Sequence, residues 1–106
     1  MASIRLGITL LLVLGSGSAV AAPLAFATNQ QSNNVSVIHT RSFELLDTIA
    51  VDEYPEGINT LPGDRQIYVA NWFSNTVSVI DAVTGELVNT IDVGDGPRAY
   101  GNFIAD

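Results

Sequence analysis

The chain has 106 residues, four arginines against eleven carboxylates, and neither lysine nor cysteine. That length holds at most one small domain, and the absence of cysteine excludes disulfides and thiolate metal sites. A formal charge of −7 repels phosphate backbones and offers no basic patch for anionic lipid, so neither nucleic acid nor a membrane surface is an expected partner.

Residues 1–21 read as a secretory signal peptide. Arg5 closes a short charged start, Leu6–Leu14 is apolar, Gly15–Ser18 breaks the run, and Ala19-Val20-Ala21 supplies a cleavage site after Ala21. The apolar run falls short of the roughly 20 residues that a membrane crossing needs. Any membrane contact is therefore expected only through this transient leader. The expected product is exported, periplasmic or secreted, with a formal charge of 3 − 11 = −8.

Pro23–Thr28 predicts a strand, followed by a polar turn at 29–33. Asn34–His39 alternates with period two and places Val35 and Val37 on one face. Phe43–Val51 predicts a third strand, with Phe43, Leu45, Ile49 and Val51 on one face and Asp47 interrupting it. The stretch 52–57 reads as a loop in which Pro55 and Gly57 stop the ladder. A weak strand is expected at Ile58–Leu61, then a Pro62-Gly63-Asp64 turn. Ile67–Asn71, Thr76–Asp81 and Leu87–Val93 are the best-formed strands, separated by loops at 72–75 and 82–85. Arg98–Ile104 is read as one last strand. No sustained helical period follows the leader, so the fold class is all-β.

Shifted by 42 residues, the chain lies on itself without a gap. Residues 29–58 and 71–100 share 13 identities in 30 positions, among them Ser32-Asn33 with Ser74-Asn75 and Val35–Ile38 with Val77–Ile80. A period of about 40 residues with short strands in each unit marks propeller blades. The run from Tyr68 to Pro97, YVAN-x-x-SNTVSVID-x-x-TGE-x-V-x-TI-x-VG-x-GP, closely resembles the YVTN-type β-propeller repeat. Two departures stand out: Ala70 replaces that family's threonine, and Phe26-Ala27-Thr28-Asn29 stands for the motif in the first repeat.

The resemblance implies propeller-like blades in an incomplete propeller: 22–56 an eroded first blade, 57–97 the second, and 98–106 the start of a further blade or a closing strand beside Leu24–Asn29. Known propellers have four or more blades. Three readings follow for a two-blade chain: a shortened relic, a two-sheet monomer, or a head-to-tail ring of several copies. The family's members include exported and surface-layer proteins and periplasmic propellers of quinone-cofactor oxidation systems. The resemblance thus implies a non-enzymatic module that binds a protein or ligand, or else a remnant or accessory of such a dehydrogenase system.

No catalytic constellation stands out, and no cofactor is expected. His39 is the sole histidine and aligns with Asp81, which favours a turn role over chemistry. Asp81 is expected to accept bonds from the amides of its own turn. Asn71, Gly85 and Pro97 are expected to be structural turn residues. Glu53, Asp92 and Asp95 suggest calcium but lack its ligand spacing. Asn34-Val35-Ser36 matches a glycosylation triplet inside a predicted strand, which argues against its use. Trp72 and Phe73 replace Gln30 and Gln31 of the first repeat. They are either an interaction surface or wedges between blades.

Overall fold

The computed structural model describes residues 11–14, 23–60, 63, 65–99 and 104. Eight strands run in order: β1 (Leu11–Leu14), β2 (Leu24–Asn29), β3 (Asn34–His39), β4 (Leu45–Ala50), β5 (Pro55–Asn59), β6 (Gln66–Asn71), β7 (Thr76–Asp81) and β8 (Leu87–Asp92). They form two four-stranded antiparallel sheets, ordered β1-β2-β3-β4 and β5-β6-β7-β8. Each is an up-and-down meander, compatible with a partial set of propeller blades. Among the described residues no helix is long and apolar enough to cross a membrane.

The structure corrects the expected strands in four places. β5 begins at Pro55, not after Gly57. Proline is tolerated as the first residue of a strand, and a register shift between Pro55 and Gly57 absorbs the local break. The second sheet therefore starts within the range assigned to the first repeat. Phe43 lies outside β4, at φ 62°. Leu45 and Ile49 do not share a face, because a bulge opposite Val37/Ile38 pairs Leu45 with Ile38 while Ile49 pairs with Val35. The same bulge recurs at Val79/Ile80 and separates Leu87 from Ile91.

The fourth correction concerns the edge of the first sheet. Leu11–Leu14, inside the span read as a leader, forms β1 and pairs with β2, Leu14 opposite Leu24. An open strand edge attracts any extended apolar segment, and β1 fills the place considered for Arg98–Ile104. Arg98, Ala99 and Ile104 are not in a strand, and residues 100–103 lie outside the described residues. Ala99 instead passes close over Gly57 of β5, where an added Cβ would run into the Ala99 carbonyl.

The two sheets stack in one direction. In the first, Phe26, Val35, Val37 and Ile49 share a face through the pairs Phe26–Val37 and Val35–Ile49; this is its forward face. In the second, Ile67–Ile80 and Ile58–Val69 are paired on the opposite, rear face. These eight side chains form one buried cluster, with Leu24, Val51 and Ala82 at its margin. The core is thus forward face of blade one against rear face of blade two. Complete burial of a side chain such as Phe26 contributes about 1.5–3 kcal/mol.

Two of the repeat identities outside the core are conserved as hydrogen-bonding asparagines, Asn29 with Asn71 and Asn33 with Asn75. Asn29 Nδ2 donates to Ser36 Oγ at 2.8 Å, and Asn71 Nδ2 to Ser78 Oγ at 2.8 Å. Asn33 and Asn75 stand at φ 57° and 56°. Their carbonyls accept from Val51 and Val93, both at 3.0 Å. Their side-chain Oδ1 atoms accept from the amides of Tyr54 and Gly96, at 3.0 and 2.9 Å. Each asparagine tolerates the left-handed conformation and ties the exit of its blade to the turn between its second and third strands.

Candidate functional site

The turn between β6 and β7 carries the aromatic pair. Asn71, fully buried, closes β6 and donates to Thr76 Oγ1 at 3.1 Å across the turn. Thr76 Oγ1 in turn donates to the carboxylate of Asp52 at 2.7 Å. The segment linking the two blades docks on this turn. Trp72 N donates to Tyr54 O at 3.0 Å, Phe73 N to Glu53 O at 3.2 Å, and Glu53 N to Ser74 Oγ at 2.7 Å. The three bonds bring Tyr54 to the aromatic pair.

Tyr54 and Phe73 are stacked, with centroids 4.3 Å apart and planes inclined by 22°. Trp72 meets Tyr54 edge-on at 5.2 Å and Phe73 at 5.0 Å. The guanidinium of Arg98 lies 3.6 Å above the Trp72 ring, a cation–π contact. Gly96, at φ 64°, runs beside the indole, and a Cβ there would stand 3.2 Å from Nε1. Trp72 is half-buried and braced on both sides, whereas Phe73 is 58% exposed. The two residues are therefore unequal: Trp72 holds the seam between linker, turn and blade exit, and Phe73 presents a flat apolar face to solvent. Such a face can stack on a planar group or receive an apolar side chain. The exposed Glu53, Asp95 and Arg98 frame it with both signs of charge. The first blade has no counterpart, because Gln30 is buried and Gln31 exposed at the matching turn.

Sequence reasoning left Tyr54 and Arg98 out of this cluster. Their one signal was departure from the repeat, since Tyr54 aligns with Gly96 and Arg98 with Glu56. Tyr54 takes φ 59°, close to the 64° of Gly96.

Asp81, His39 and Gly85 lie at the opposite end of the sheets. Asp81 Oδ1 accepts from the amides of Val83 and Thr84 at 2.8 and 3.1 Å, and the carboxylate pairs with Arg65 at 2.9 Å. The Thr84 amide is the main influence drawing the Asp81 carboxyl below its ordinary pKa. Desolvation opposes it, and Val83 and Arg65 reinforce it. His39 Nδ1 accepts from Arg41 and Ser42 at 3.2 and 3.1 Å in the matching turn. Gly85 completes the Asp81 turn at φ 74°, its amide donating to Asp81 O at 2.8 Å. Pro97 precedes Arg98 on the path from β8 to Gly57. Among the described residues no three His, Asp or Glu side chains gather as a metal site. A cleft of about 160 Å³ opens between the blades here, lined by Leu24, Phe26, Asp47, Val83 and Gly85 among others.

No protein-family model matches the chain, and no curated protein matches it either. Among solved structures it is similar to Kuenenia stuttgartiensis Hydrazine Synthase, with a TM-score of 0.67 and 31% identity over 70% of this chain and 21% of that one. The chain spans about a fifth of that protein's length. With two antiparallel meanders stacked in one direction, this likeness supports a β-propeller-type module.

Proposed function

We propose that the chain is an exported, non-enzymatic binding module built of YVTN-like blades, and that it docks a protein partner through Phe73. The exposed Phe73 ring carries this reading. It is held open by stacking on Tyr54 and by Trp72 behind it, so little conformational freedom is lost on contact. Anchors of this kind, an aromatic ring with a polar rim, carry a large share of interface energy. The test is a photo-crosslinking residue placed at Phe73 in cells that export the chain, with Phe43 as control. Phe43 is 81% exposed and sits at the opposite end of the sheets. A discrete adduct from position 73, absent from position 43 and lost on Tyr54→Ala, supports the reading. No adduct, or the same adducts from both positions, refutes it.

A second reading is an accessory propeller of a periplasmic quinone-cofactor dehydrogenase system. It draws on the likeness to a protein whose name is that of an enzyme, Hydrazine Synthase. An oxidoreductase subunit identified by mass spectrometry in the position-73 adduct would favour it over the first.

A further inference from the structure

The cleft between the two blades has an apolar interior and a carboxylate at its rim. Phe26 and Val37, both buried, form the floor; Leu24 and Ala82 are half-buried walls; Asp47 and Val83 stand exposed at the rim. We propose that this cleft binds a small aliphatic amine, its alkyl tail on Phe26 and its ammonium on the Asp47 carboxylate. The site lies apart from Phe73 and does not depend on the reading of that ring.

Asp47 carries a charge that its place in the strand does not use. It continues the row Phe26–Val37–Asp47 across the forward face of the first sheet, toward the second blade. Its Oδ2 reaches the turn after β7, where a Cβ on Gly85 would stand 2.8 Å from it. Its Oδ1 accepts from the Thr48 amide at 2.7 Å. The repeat supplies the comparison: forty-two residues on, Asn89 Oδ1 accepts from the Thr90 amide at 2.8 Å. A neutral amide thus makes the same bond, and the strand has no need of a carboxylate there. On the facing turn Asp81 has its cation in Arg65, at 2.9 Å, whereas Asp47 has none among the described residues.

The order of the lining selects the occupant. Apolar side chains lie deepest and the carboxylate outermost, so an amphiphile enters tail first and keeps its cation at the rim, partly in water. A lysine from a partner protein would enter with its ammonium leading and lose its hydration against Phe26 and Val37. An anion would meet the Asp47 charge. A divalent cation needs six or more oxygens, and among the described residues no three His, Asp or Glu side chains gather. The volume, about 160 Å³, limits the length. An apolar cavity of about 150 Å³ holds a molecule the size of benzene, which sets the tail at about four to six carbons.

The test is an NMR titration of the full, nitrogen-15-labelled chain with n-pentylammonium at about 20 mM salt, where exposed charges are little screened. Saturable shifts are expected at the amides of Asp47, Thr48, Val83, Thr84 and Gly85. The expected Kd is about 1–10 mM, the range open to a ligand of about six heavy atoms. n-Pentanol should bind about threefold to tenfold more weakly, the value of one charge-assisted contact at a rim, and pentanoate should not bind. Asp47→Asn should keep the fold, as Asn89 does at the repeat position, and lose that factor toward pentylammonium while binding pentanol unchanged. Asp95→Asn removes the same charge far from the cleft and should move Kd less than about twofold. Shifts spread over every exposed carboxylate overturn the proposal, and so does an Asp47→Asn chain that binds pentylammonium as tightly as wild type. Pentanol binding as tight as that of pentylammonium also overturns it, and this comparison on the wild-type chain needs no variant. Tighter binding of Nα-acetyl-lysine methylamide than of pentylammonium would overturn it in favour of a partner's lysine.

Discussion

Phe43 should be worth more to the fold as glycine. It stands at φ 62°, where its repeat mate is Gly85 at φ 74°, and both donate their amide to the residue four earlier at 2.8 Å. A side chain in the left-handed region costs about 1–2 kcal/mol. At 81% exposure the Phe43 ring has little burial to lose. Glycine would give back roughly 0.5–1 kcal/mol as extra chain entropy in the unfolded state. The net expectation for Phe43→Gly is a gain of about 0.5–1 kcal/mol, a rise in Tm of roughly 2–8 °C for a domain of this size. The assay is a thermal melt by circular dichroism, paired with urea titration at fixed protein concentration, since assembly would make Tm concentration-dependent. A fall of more than about 0.5 kcal/mol, beyond the scatter of surface substitutions, would show that the turn does not hold Phe43 under strain.

Gly57→Ala should destabilise the chain by about 1–3 kcal/mol, since its Cβ meets the Ala99 carbonyl; the same melt checks it, and a neutral result would mean that residues 97–99 do not lie there. Phe26→Ala, fully buried between the sheets, should cost about 3–5 kcal/mol in urea unfolding. The lowered pKa of Asp81 means that the unfolded chain binds the proton first. Its contribution is therefore complete above about pH 4 and is lost as pH falls through the folded pKa. Asp81→Asn should flatten the acid limb of the stability–pH curve, and an unchanged limb would refute the assignment.

Period two and the 42-residue shift made the strands legible because each blade repeats the same amide partners. The bulges were not legible. A bulge spends one residue, Leu46 or Val88, without changing the apolar pattern, so alternation alone put Leu45 on the wrong face. Pro55 and Gly57 carried turn chemistry yet sit in a strand, because an N-terminal proline has no ladder bond to lose. Trp72 and Phe73 stood out as departures from the repeat, but sequence could not rank them. Their unequal exposure follows from Tyr54 and Arg98, brought in by linker amides and by the path past Gly96.

The matched hydrogen bonds of the two blades make the repeat a cassette. Each unit supplies its own turn acceptors, Asn33 with His39 or Asn75 with Asp81, and takes from the unit before it an apolar wall and the linker bonds of residues 52–54. An extra copy of residues 55–96 spliced in tandem would therefore carry the wiring of its own turns with it, and would meet Gly94-Asp95-Gly96 where the present blade meets Asp52-Glu53-Tyr54. Such an array should lengthen by whole layers, with stability growing layer by layer as in other nearest-neighbour stacks.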